Sequence, residues 1–159
     1  MVVKVKRFSK FSLCLWLVIV VLMAPQLAAA SGKKDAKTPP PPVEIQPMAI
    51  YPTYTYLKSS SIIILGNTNG SITIEATTAA KTTVSEVGVT IQLQEWTGSA
   101  WVDLIPASSN AVSNGTSVTG YLTRYSRVGY YYRVKATHYV EQGATTEQVI
   151  EYSASFLAK

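Results

Sequence analysis

The chain has 159 residues, 14 Lys and Arg against 9 Asp and Glu, one His, one Cys and 47% apolar residues. That length suits one modest domain with its own core. One cysteine excludes a disulfide framework within the chain, and one histidine excludes a histidine-rich metal site.

The first thirty residues have the three parts of a secretory signal in order. Lys4, Lys6, Arg7 and Lys10 form a basic start without an acidic residue, and Phe11 to Met23 is an apolar run broken only by Ser12. Pro25 follows, and Ala28-Ala29-Ala30 offers the small side chains a signal peptidase reads. Cleavage is expected after Ala30, leaving Ser31 as the first mature residue. The apolar run falls short of the ~20 residues that span a bilayer. Cys14 sits at the start of that run, behind bulky Leu13, which is the wrong place for lipidation. It is expected to leave with the signal.

Four of the fourteen basic residues leave as well, so ten basic residues face nine acidic ones in the mature chain. A domain this near to neutral lacks the basic footprint that nucleic acid requires. Residues 31–48 read as a disordered tether. The run Thr38-Pro39-Pro40-Pro41-Pro42 enters neither a helix nor a central strand and favours an extended spacer.

From residue 49 onward the chain alternates with period two and shows no helical period. Tyr54–Leu57 and Ser61–Leu65 suggest a first strand or strand pair, and Gly66-Asn67-Thr68-Asn69-Gly70 a turn. Ile72, Ile74 and Ala76 alternate against Thr73 and Glu75. Val87, Val89, Ile91 and Leu93 alternate against Gly88, Thr90, Gln92 and Gln94, the clearest half-buried strand. Trp96, a turn at Thr97–Ala100, and Trp101–Ile105 read as a hairpin. Ala107–Thr116 reads as a polar loop, and a strand is expected around Val118–Tyr125. Tyr130, Tyr132, Val134, Ala136, His138 and Val140 share one face of the next strand. Glu147–Phe156 reads as the last, with Ile150, Tyr152, Ala154 and Phe156 on one side. The expected core joins Ile74, Val89, Ile91, Leu93, Tyr132, Val134, Ala136 and Ile150. About seven short strands between polar turns predict an all-β, immunoglobulin-like antiparallel β-sandwich, with a small β-barrel as the alternative.

The segment Gly129-Tyr130-Tyr131-Tyr132-Arg133-Val134-Lys135-Ala136 resembles the penultimate strand of fibronectin type III and related immunoglobulin-like domains. The resemblance implies a tyrosine corner, whose hydroxyl bonds to backbone just upstream, at Tyr130, with Tyr132 as second choice. More broadly, Ser71–Glu151 is similar to a family of short secreted proteins of Gram-positive bacteria with no assigned activity. The likeness lies in the Ile-Thr-Ile-Glu-Ala and Val-Thr-Ile-Gln-Leu-Gln-Glu strands, the tryptophan hairpin and the Gly-Tyr-Tyr-Tyr-Arg-Val strand. It implies export and fold, and nothing about mechanism.

No catalytic set stands out. A serine nucleophile needs His138 and an orienting acid, and no acid is supplied locally. Glu75, Glu86, Glu95 and Asp103 fall on polar parities or at turns, where solvated carboxylates are expected, so no glycosidase dyad is indicated. Asn69-Gly70-Ser71 and Asn114-Gly115-Thr116 read as turns before glycosylation sites. The candidate surface is the hairpin. With a four-residue turn, Trp96 and Trp101 stand opposite each other on the face of Gln92 and Gln94, extended by outward Tyr131 and Tyr139. They form either a clasp that closes the turn or an aromatic platform for a partner protein or a cell-wall polysaccharide. The expectation is a secreted, non-catalytic binding or cell-surface module without a cofactor. The alternatives are a secreted hydrolase and a soluble inhibitor or competition factor.

Overall fold

The computed structural model describes residues 36–43, 50–67 and 69–159. The expected signal and its cleavage site, Cys14, and residues 31–35 and 44–49 of the expected tether lie outside them. Among the described residues there is no helix. Six antiparallel strands run β1 Leu57–Gly66, β2 Ser71–Trp96, β3 Trp101–Tyr125, β4 Tyr131–Gln142, β5 Thr145–Tyr152 and β6 Phe156–Leu157. The fold is all-β and antiparallel, as the alternation predicts.

Its organising unit is the long β2–β3 ribbon. One edge of β2 pairs with β3 along nearly its whole length. The other edge serves β1 with its first half (Ala80–Ile72) and β4 with its second (Glu86–Glu95). β5 and β6 extend the β4 side. The expected separate strands at Ser71–Thr77 and Val87–Leu93 are thus two halves of one strand.

Between them the register slips: Ala79 stands opposite Ser117, but Val84 is opposite Gly115. The inward parity changes at the same place, from Ile72, Ile74, Ala76, Thr78 and Ala80 to Val87, Val89, Ile91 and Leu93. Because side chains alternate faces, an odd insertion is what moves the inward set from even to odd numbers. β3 answers with Asn114 at φ 52°. The ribbon folds over here, and its halves face each other. A Cβ on Gly120, opposite Ala76, would come within 2.9 Å of Val89 and 3.3 Å of Ile91. The result is a sandwich whose two layers are one curled sheet.

The interior joins Leu57, Ile72, Ile74, Ala76, Val87, Val89, Ile91, Leu93, Tyr132, Val134, Ala136 and Val140 in one cluster. Seven of the eight expected core residues belong to it. Ile150 does not, being 46% exposed, and Val149 packs against the core in its place. The face assigned to β5 is therefore inverted: Glu147, Val149 and Glu151 point inward and Tyr152 outward. The carboxylates turn inward because polar partners wait there. Glu147 accepts from the backbone N–H groups of Thr55, Tyr56 and Leu57 at 2.6–2.8 Å. Ala107–Thr116, expected as a loop, is strand, paired with β2 on one edge and exposed on its faces. Its hydroxyls bond across the ladder, as Ser109 does with Thr90 at 2.9 Å. Asn69 supports the turn reading, since its Oδ1 accepts from both the backbone N–H and the hydroxyl of Ser71.

Candidate functional site

Trp96 and Trp101 are register partners, and their rings lie 5.2 Å apart, tilted by 52°. The turn between them is closed by Thr97, whose N–H reaches the Ala100 carbonyl while its hydroxyl accepts from the Ala100 N–H. Gly98 at φ 104° supplies the left-handed backbone. The expected hairpin and its shared face are present.

That face is not an open platform. Trp96 is only 7% exposed, packed with Tyr131, Leu157, Ala36 and Trp101. Residues 36–43, the described part of the expected tether, form its cover. The Trp96 indole N–H donates to the Pro39 carbonyl at 3.0 Å, and Lys37 N–H donates to the Gly129 carbonyl at 2.7 Å. Thr38 and Pro39 lie over the turn, within 3.6–3.9 Å of where a Cβ of Gly98 would stand. Pro41 is buried. Tyr131, expected outward, is on that face but lies beneath this cover.

Beside the covered ring, Trp101 is half-buried. The Arg133 guanidinium sits 4.5 Å from the Trp101 ring centroid and 4.3 Å from that of Tyr152. Arg133 Nε donates to Gln94 at 2.7 Å, and the Gln94 amide donates to Asp103 at 2.6 Å. The cation is thus held between two aromatic faces by a side chain that is itself pinned. Exposed Ile150 and Tyr152 belong to the same layer, whereas Val102, opposite Glu95, points to the other side of the sheet. Nothing in the spacing of Arg133 or Tyr152 foretold this. They meet because β4 pairs with both β2 and β5.

Tyr139 lies apart from the hairpin. It stands opposite Gly88, and a Cβ there would come 2.0 Å from its ring carbon Cζ. Its hydroxyl donates to Glu86 at 2.7 Å, and burial together with that carboxylate pushes the phenol up to about 12. The ring fills the space the glycine leaves. Tyr130 does not form the corner: its ring lies under the Arg127 guanidinium at 4.0 Å. The hydroxyl that returns upstream is that of Tyr132, which accepts from Arg127 N–H at 2.8 Å and donates to Glu95 at 2.7 Å. Tyr130 shares its parity, but Tyr132 is the one buried deeply enough, at 1% exposed, for its hydroxyl to reach both groups.

Glu95 is therefore not a solvated carboxylate. It continues the inward parity of Leu93 and is 8% exposed. Burial raises its pKa, but donation from Arg127 and Tyr132 outweighs this and holds it below the usual carboxylate range. Asp103 faces outward to Gln94, so the two carboxylates point to opposite sides of the sheet.

The acid missing near His138 in sequence is supplied by β5. Glu151 Oε2 lies 3.5 Å from His138 Nε2, and Tyr51 donates to Glu151 Oε1 at 2.5 Å. Ser60 bonds the same phenol at 2.7 Å. On the other side, Thr78 Oγ1 donates to the Gly88 carbonyl at 3.0 Å and stands 2.8 Å from His138 Nδ1. Nδ1 is therefore the donor of that pair. His138 and Thr78 are both completely buried and Nε2 has no hydrogen-bond partner, so this hydroxyl, histidine and acid form an internal cluster that is not a continuous relay and gives a substrate no access to the ring. Burial pushes the His138 pKa down, and the Glu151 charge opposes that shift. Among the described residues no cluster of His, Cys, Asp or Glu is placed to hold a metal ion.

No family model and no curated protein matches the chain. Among solved structures it is similar to the solution structure of R. palustris CsgH, at 13% identity over 58% of this chain and 90% of that one, with a TM-score of 0.35. It is also similar to the crystal structure of a protein from Archaeoglobus fulgidus, at 16% identity over 65% of this chain and 98% of that one, with a TM-score of 0.37. Likenesses at this level carry no argument about function.

Proposed function

We propose that the chain is an exported, non-catalytic binding module whose contact surface is the outer aromatic face around Trp101, Arg133 and Tyr152, and that its partner is a protein. The observation behind this reading is the Arg133 guanidinium held between two aromatic rings beside exposed Ile150. Trp, Tyr and Arg are the side chains that dominate binding energy at protein interfaces, especially when pre-positioned and flanked by apolar surface. A sugar platform needs an open ring face. Here Trp96 is covered and Trp101 is capped by a cation, which favours the protein partner.

The test is retention of the labelled mature chain on envelope preparations. Retention is expected to be lost with Trp101→Ala and with Arg133→Ala, and after protease treatment of the envelope. Equal retention on purified cell-wall polysaccharide would overturn the protein reading, and undiminished retention of both variants would overturn the surface itself.

A further inference from the structure

Residues 36–43 lie against the domain as a strap. They pair with no strand, and they contain four consecutive prolines. Among the described residues, single hydrogen bonds tie them to the domain, from the Trp96 indole to the Pro39 carbonyl and from Lys37 N–H to the Gly129 carbonyl. A run of prolines has no N–H to offer a ladder, but its carbonyls are free and its extended form is already paid for in entropy. An aromatic groove whose indole N–H meets one of those carbonyls is how folded domains read such segments.

One detail shows that the fit is imperfect. Thr38 Oγ1 is buried and has no hydrogen-bond partner among the described residues. An unsatisfied buried hydroxyl weakens whatever carries it into the site. A ligand presenting an apolar group there would bind the same groove more tightly.

We infer that the groove over Trp96, walled by Tyr131, Gly98 and Leu157, is a binding site for extended proline-rich segments, and that residues 36–43 occupy it as an exchangeable internal ligand. This deepens the binding-module reading by naming a partner chemistry beside the Trp101–Arg133 surface. The chain's own strap then competes with an incoming segment, so the site opens only to a ligand that outbids it at high local concentration.

The test uses the full mature chain and the peptide Ala-Lys-Thr-Pro-Pro-Pro-Pro-Val, followed through the Trp96 indole N–H resonance. Pro41→Asp places a charge in a buried slot of the strap and is expected to move that resonance toward a solvent-exposed position. Added peptide should return it to the parent position, saturating at a concentration at least tenfold below any response of the parent chain. A peptide with Val in place of Thr should bind roughly tenfold more tightly still, because the orphaned hydroxyl is gone. An unmoved resonance in Pro41→Asp, a moved one that peptide does not restore, or equal affinity of the Thr and Val peptides would each overturn the inference. If Pro41→Asp unfolds the chain, the Thr38→Val chain decides the matter: its strap should resist the Val peptide better than the parent strap does, and equal resistance counts against exchange. Because the readout lies at Trp96, it stands or falls separately from envelope retention, which is read at Trp101 and Arg133.

Discussion

Two buried polar clusters share the interior, and they are finished differently. At the end of β2, Glu95 is met by a guanidinium and a phenol, and the phenol's second valence is used by Arg127 N–H. Toward the middle, His138 is bonded through Nδ1, but its Nε2 has no hydrogen-bond partner and lies 3.5 Å from a carboxylate. The first cluster opens on solvent through exposed Arg127 and can be fully charged. The second is sealed, so the ring stays neutral and one ring nitrogen stays unsatisfied. A carboxylate is easily kept in a sandwich when a long cation can reach it from the rim, whereas an imidazole in the centre has only its immediate neighbours.

The scale for both clusters is set by the apolar residue between them on the same inward face. Ile91 is completely buried. Ile91→Ala is expected to cost about 2–5 kcal/mol in denaturant melts, the range of a buried large-to-small change. Thr90→Ala, on the opposite parity, should stay within about ±0.5 kcal/mol. Equal losses at the two positions would show that β2 is as tightly packed outside as inside.

Tyr132→Phe tests the finished cluster. The ring's packing survives, but Glu95 loses a donor and Arg127 N–H loses its acceptor. The expected cost is about 1–3 kcal/mol, that of leaving buried polar groups unpaired. Glu95 should then lose its protection against acid. Its folded pKa lies below the ordinary 4.5, so its contribution is complete above that value and fades as pH falls through the folded one. In the variant the folded value lies nearer 4.5, so the loss on acidification should be smaller and complete at higher pH. An unchanged acid limb would mean that Arg127 alone holds the carboxylate.

What the sequence made legible follows the same division. The run Val87–Leu93 shows its inward face because apolar and polar residues alternate there, and the core follows from it. The alternation stops being informative where polar residues turn inward to meet remote partners. Glu95 meets Arg127 some thirty residues on, and Glu147 and Glu151 meet Leu57 and Tyr51 from the far end of the domain. Judged by hydrophobicity, β5 buries Ile150; with those partners in place it buries Val149. Ala107–Thr116 misleads in the opposite sense, since an edge strand exposed on its faces has no apolar side to display. At the candidate site the hairpin and its facing tryptophans are readable locally. The cover over Trp96 and the clamp on Arg133 depend on which segments the topology brings alongside.

Gly88 joins the central cluster to the outer face, because its carbonyl accepts from Thr78 and its missing side chain admits the Tyr139 ring. Gly88→Ala must push that ring aside and break its bond to Glu86. The ring can swing at its far end, so the expected loss is about 1 kcal/mol, that of one hydrogen bond. Tyr139→Phe in the same background should then cost nothing further. A full additional loss would place the hydroxyl's partner elsewhere.

The smallest effect is absent at neutral pH and appears only on acidification. Burial depresses the folded pKa of His138 below its ordinary 6.5, with the Glu151 charge pulling the other way. The unfolded chain therefore takes up a proton as pH falls through about 6.5, while the folded chain does not until lower pH. The contribution to stability is complete above 6.5 and is lost as pH drops from there toward the folded value. Glu95 and Glu147 begin to lose theirs only below 4.5. The groups facing the imidazole are Glu151 on β5, Thr78 on β2 and, through Glu151, Tyr51, whose phenol is pushed up by burial and by that carboxylate. Between pH 6.5 and 4.5 the parent chain should thus lose stability steadily, whereas His138→Leu, which keeps an apolar side chain in the same place, should stay flat. Parallel slopes in the two proteins would mean that the Glu151 charge fully offsets the burial of the ring, and that the central cluster is as well satisfied as the one around Glu95.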